Sequence, residues 1–152
     1  MIEFFQSVLA LIVTISILVT VHEFGHFYVA KKCGVHVERF SVGFGKVLFR
    51  LQGKAPNPDN RYSTAEVRSV SNEPLVGTEY CIAMIPLGGY VKMLDERDTF
   101  VADDLLEFAF NRKPLWQRAL IVAAGPLANF ILAFFVYWAL FVAGVGGIAP
   151  IL

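Results

Sequence analysis

From Phe4 to Val21 the sequence runs without a charged residue, and this run restricts the fold more than any other feature. As a helix it measures about 27 Å, close to the ~30 Å of hydrocarbon that a transmembrane segment has to cross. A second run, from Ala119 to about Gly146, holds no ionisable side chain except Tyr137 and is long enough to span with some tilt. Hydrophobic residues make up 56% of the 152-residue chain, the composition of a membrane protein. A secretory signal peptide is the rival reading of the first run. Against it, Glu3 stands where such a leader carries Lys or Arg, and no Ala-x-Ala-like site follows the apolar core.

The formal net charge is zero, so no global basic field exists to attract nucleic acid, and no nucleic-acid partner is expected. What matters is where the charges sit. Every Lys and Arg lies between Lys31 and Arg118. Lys31, Lys32, Arg112, Lys113 and Arg118 flank the inner ends of the two apolar runs, and cations in that position favour the cytoplasmic side. Residues 31–118 are therefore expected on the cytoplasmic face of the membrane, with both termini on the opposite face, which in a bacterium is the periplasmic side of the inner membrane, and the lipid bilayer as a constant partner. Cys33 and Cys81 then lie in a reducing compartment and are expected to stay as thiols. Cys33 and His36 have ligand-like spacing, but nothing nearby completes a four-ligand set, and Cys33 reads as a small apolar residue.

Between the apolar runs, Val42–Leu51 and Tyr80–Met93 are rich in β-branched, aromatic and alternating residues and are expected to be strands. Gly43 and Gly45 around Phe44, and Gly88-Gly89 after Pro86, mark bends or close approaches of another backbone. Residues 53–78 carry Pro56, Pro58 and Pro74 without an apolar period and read as a solvated loop. Asp95 to Glu107 is acidic, and Leu105, Leu106, Phe108 and Phe110 point to a short surface helix. A helix beginning near Pro114 leads into the second span, since Pro is tolerated in a first helical turn.

The chemistry lies at the end of the first span, where Val21 is followed by His22-Glu23-Phe24-Gly25-His26, an HExxH pattern. Residues four apart share a helix face, so the two imidazoles converge on one point. Zn²⁺ takes such nitrogens at ~2.0–2.1 Å, and a catalytic site keeps one position open for a water whose pKa falls to ~7. His22 and His26 are thus the expected metal ligands, and Glu23 the expected general base and then general acid. HExxH also occurs in proteins that bind nothing, but ionisable residues at the end of a membrane helix are by default functional. The bland alternative is that these side chains snorkel to the interface.

HEFGH at 22–26, Ser41-Val42-Gly43-Phe44-Gly45, Ile85-Pro-Leu-Gly-Gly-Tyr-Val-Lys-Met93 and Gly125-Pro-Leu-Ala-Asn129 together resemble the site-2 protease family of intramembrane metalloproteases. The resemblance covers nearly the whole chain. It implies a zinc metalloendopeptidase acting in regulated intramembrane proteolysis on a single-span membrane protein such as an anti-sigma factor. Within it, Gly43, Phe44 and Gly45, with the 80–93 strand, resemble a membrane-associated β element that binds substrate as an added strand, which would hold an unwound helix extended for attack. A purely structural sheet is the alternative. Asn129 matches the family's second-span signature and is a candidate for orienting substrate, helix packing through Gly125 and Ala128 being the other reading.

The expected fold class is membrane α-helical with a small β element, two transmembrane helices flanking a cytoplasmic β-hairpin-like region and loop. Residues 1–30 are the first transmembrane helix with HExxH, 31–110 the cytoplasmic membrane-associated β region and loop, and 111–152 the second transmembrane helix. One part of the family pattern is missing. The resemblance implies a third zinc ligand, an Asp from a Leu-Asp-Gly motif, and no such motif occurs here. Leu94-Asp95 is followed by Glu96 on the polar loop, so Asp95 is not taken as that ligand. The expectation is an N-terminal portion of a longer protease, with residues 53–78 as an insertion. Two other readings stay open: a different membrane-embedded HExxH peptidase, and a non-catalytic two-span binding or scaffold protein.

Overall fold

The structure is a computed structural model that describes residues 1–53, 77–98, 101 and 103–144; most of the loop expected at 53–78 lies outside the described residues. Two long helices, α1 (Ile2–Lys32) and α2 (Leu115–Val142), flank two strands, β1 (Val37–Gln52) and β2 (Glu79–Met93). Both helices are long and apolar enough to cross a membrane, so the protein has a membrane-type helical fold with a small β element.

α1 continues through HExxH and ends at a glycine. Gly34 has φ of +70°, and the N–H groups of Gly34 and Val35 donate back to the carbonyls of Lys31 and Ala30, the two bonds of a Schellman motif. Lys31 and Lys32 complement the carbonyl end of the helix. Their ammonium groups lie over the rings of Phe27 and Tyr28, at 5.1 and 5.6 Å, so the stems run along apolar surface while the charges reach the interface.

β1 begins at Val37, earlier than the expected Val42, because Val37 is buried at the end of α1 in a core with Phe27, Ala30, Val35 and Ile121. Phe27, Phe40 and Tyr80 pack ring on ring, with centroids 5.2 to 6.2 Å apart, and fasten the sheet to the helix. The strands pair antiparallel, but each is bent. Arg39–Val42 run against Gly89–Lys92, while Val47–Gln52 run against Glu79–Ala83. Arg39–Val42 also lie beside Glu79–Ile82 with both numbers ascending. The first half of β1 therefore sits between the two halves of β2, which leaves Gly89–Met93 as one outer segment of the sheet.

Gly43 and Gly45, at φ of +89° and +87°, make the bend in β1, a conformation that glycine adopts without the Cβ penalty. A Cβ on Gly43 would stand 2.8 Å from the Ile85 carbonyl oxygen. The bent end of the sheet reaches the apolar run of α1: the Ser16 hydroxyl is 2.6 Å from the carbonyl oxygen of Pro86, about 9 Å farther into the helix than His22.

The acidic stretch forms a 3-10 helix at Asp103–Phe108, followed by a second at Phe110–Arg112. It is less exposed than expected, because Leu105 and Ala109 bury themselves with Leu94 and Val101 in a second small core. α2 starts after Pro114, as expected.

Candidate metal centre

α1 and α2 meet where both lack side chains. A Cβ on Gly25 would lie 2.4 Å from the Ala124 carbonyl oxygen and 2.8 Å from the Ala128 Cβ, so only glycine allows the backbones this close. The same crossing brings α2 against the HExxH imidazoles. A Cβ on Gly125 would lie 2.3 Å from Nε2 of His26 and 2.8 Å from Nε2 of His22.

The two Nε2 atoms face each other at 3.2 Å, with the rings edge to face at 82°. Two imidazole nitrogens on one tetrahedral zinc would stand about 3.3 Å apart. The Nδ1–H of His26 donates to the Ile121 carbonyl at 2.7 Å, which orients the ring and, in a neutral imidazole, places the lone pair on Nε2, the form a metal requires. Donor type, separation, tautomer and the space left by Gly125 all fit a divalent cation. Among the described residues, no third His, Cys, Asp or Glu joins these two in a metal-holding group. Asp95 is engaged elsewhere: its Oδ1 accepts from the backbone N–H and Nε of Arg97, and its Oδ2 from the Arg97 guanidinium. Those bonds hold its carboxyl below the usual range against the opposing effect of burial.

Glu23 is half-buried and lies against β2, where a Cβ on Gly89 would come within 3.2 Å of Glu23 Cγ and 2.7 Å of the Ser41 carbonyl oxygen. Glu23 and His26 line an open cleft of about 630 Å³, together with Tyr90–Met93 of the outer β2 segment and Ile121 and Val122 of α2. One strand edge and the Glu23 carboxylate therefore share a cavity with an imidazole, Asp95 and Asp98 lining the same cleft. An extended peptide along that edge would meet all three.

The structure brings His22, Glu23, His26 and Asn129 together, Asn129 Nδ2 lying 3.4 Å from His22 Nδ1. Gly43, Phe44 and Gly45 are placed in the bend of the sheet. Phe44 covers Gly88 and stacks on Tyr90 with centroids 6.5 Å apart, which links the bend to the cleft. Sequence reasoning marked Gly89 as a close approach of backbone but missed its contact with Glu23, the Ile121 carbonyl and the part Gly125 plays beside the imidazoles. A signal for α2 did exist: 121, 125 and 129 recur every fourth residue, on one helix face.

Residues 10–150 match the model of peptidase family M50. The chain belongs to peptidase family M50. The chain is 50% identical over 151 residues to the regulator of sigma-E protease RseP of Escherichia coli, covering 99% of this chain and 29% of that protein. Its identity to the protein of the same name in Salmonella typhimurium is 51% over 152 residues, again 29% of the relative. A Vibrio cholerae protein named as a candidate zinc metalloprotease is 43% identical over 152 residues, 100% of this chain and 29% of the relative. The chain thus spans under a third of the length of these M50 relatives. The resemblance read from the four motifs is borne out, and with two membrane-length apolar helices the chain is a bacterial membrane protein.

Proposed function

We propose that this chain supplies the ion-binding helix pair and substrate cleft of a zinc endopeptidase that cuts membrane-spanning segments. The observation that carries the reading is the 3.2 Å approach of the His22 and His26 Nε2 atoms beneath a glycine of the neighbouring helix. The name of the Vibrio relative supports zinc as the ion. His22 and His26 would hold it, and the ion when bound would polarise the scissile carbonyl and acidify a water.

The chain's own residues do the rest. Glu23 takes a proton from the attacking water as its oxygen bonds to the carbonyl carbon, then gives that proton to the leaving nitrogen as the C–N bond breaks. The Ile121 carbonyl keeps His26 oriented throughout. Gly89–Met93 offers a backbone edge, unpaired among the described residues, to an unwound substrate, and pairing there satisfies peptide groups that lipid cannot. Gly43, Phe44 and Gly45 shape the bend that carries this edge to membrane depth. A single-span protein of the anti-sigma type is the proposed substrate, supported by the relatives named for sigma-E regulation. Residues 31–118 are proposed on the cytoplasmic face of the inner membrane, supported by Lys31 and Lys32 at the inner end of α1.

The test is Glu23→Gln in the full chain, with zinc content and cleavage of a single-span reporter measured together. Zinc should be retained while hydrolysis falls by roughly 10²–10⁴-fold, the usual worth of a general base. Undiminished cleavage would sink the reading.

A further inference from the structure

We infer that Asn129 is a positioning residue for the metal ligand His22, its amide oxygen accepting the Nδ1 proton of that imidazole; this rests on the reading of His22 as a ligand. A neutral imidazole that binds an ion through Nε2 must carry its proton on Nδ1, and a buried Nδ1–H needs an acceptor. His26 has one in the Ile121 carbonyl. The partner that the structure gives His22 Nδ1 is the Asn129 side chain, with Nδ2 at 3.4 Å. In that orientation Asn129 Oδ1 is buried without a hydrogen-bond partner among the described residues.

The two ends of an amide have nearly the same shape, so a half-turn of the group exchanges them. After the exchange Oδ1 faces Nδ1–H, and the buried unpartnered oxygen gains its bond. The orientation with Nδ2 toward Nδ1 suits the opposite tautomer, in which His22 Nε2–H donates to His26 Nε2 at 3.2 Å. An amide serves both tautomers, one with the ion present and one without it. Position 129 continues the row of 121 and 125, so one face of α2 provides an acceptor for His26, a side-chain-free backbone close to both rings and an acceptor for His22.

Two variants in the full chain separate the roles. Asn129→Leu keeps the volume and removes both polar ends; Asn129→Asp keeps an acceptor and removes the donor. Zinc affinity is read by competition with a chromophoric chelator, independently of proteolysis. Asn129→Leu should bind zinc roughly 10–100-fold more weakly, the usual effect of losing such a partner. Asn129→Asp should stay within a few-fold of the parent. Equal weakening in both variants, or none in either, would overturn the inference.

If Asn129→Leu does not fold, the zinc-loaded parent still decides. Its His22 Nδ1–H should appear as a slowly exchanging downfield proton resonance, and a rapidly exchanging one would reject the assignment. The peptidase reading fails separately, through the Glu23→Gln test.

Discussion

Glycine 125 shows how one missing side chain can make room for chemistry. A methyl group there would stand 2.3 Å from His26 Nε2, inside any non-bonded contact. Gly125→Ala is expected to lose bound zinc while Gly144→Ala, whose Cβ would meet nothing within 4 Å, keeps it; metal analysis of the purified proteins checks both. Gly25 works one turn away on the partner helix, where the obstacle is backbone as well as a methyl. Gly25→Val should separate the helices, detected as loss of a cross-link between cysteines placed on α1 and α2. Glu79 is a different kind of residue-scale device. Its carboxylate, only 12% exposed, pairs with Arg39 and Arg50 and so joins both halves of β1. Glu79→Ala should speed amide exchange in Val47–Gln52 more than in α1, because it removes the ion pair with Arg50 that anchors this edge half of the sheet.

At the scale of elements, the join between α1 and the sheet is where pH should be felt. Burial lowers the pKa of His36, with Glu38 opposing and Lys31 adding to the shift. A histidine whose folded pKa lies below its unfolded value binds fewer protons when folded. Its neutral form is fully compatible with the fold above about pH 6.5, and stability is lost as pH falls from there toward the folded pKa. The backbone bonds at risk are His36 N–H to the Phe108 carbonyl and Leu94 N–H to the His36 carbonyl. Their amide protection, corrected for intrinsic exchange, should decline on acidification below about pH 6.5. His36→Gln should remove that decline. Cys33 and Cys81 are both free thiols, Cys81 buried within β2, so neither braces this join covalently. Its stability rests on the aromatic packing of Phe27, Phe40 and Tyr80.

For the whole molecule, the decisive relation is between the membrane and the sheet. Lys31 and Lys32 close α1 and Arg118 lies in the first turn of α2, while the middle of β2, at Pro86, lies beside Ser16 in the apolar run of α1. A peptide leaving the lipid could therefore meet a strand edge before reaching water. On the proposed orientation, Glu107→Cys in a background without Cys33 and Cys81 should react with an impermeant maleimide in inverted membrane vesicles and resist it in intact spheroplasts. The opposite labelling would reverse the assignment of faces.

Several of these features were legible from residues alone, and each had a local physical cause. The apolar runs define helices because hydrocarbon leaves a backbone no other partner. HExxH places two imidazoles together because helical spacing is a property of the chain itself. Strand content followed from β-branched and aromatic residues, although the start of β1 did not: Val37 joins the strand because the core under α1 buries it. What only the tertiary structure decided is everything that depends on two segments meeting. The bent strands, the approach of Gly89 to Glu23, the fit of Gly125 over the imidazoles and the pairing of Asn129 with His22 involve partners from 27 to 107 positions apart in the sequence. Local preference carries no information across such distances. Close packing does, because only glycines at 25, 89 and 125 let the three elements come near enough to share one cleft.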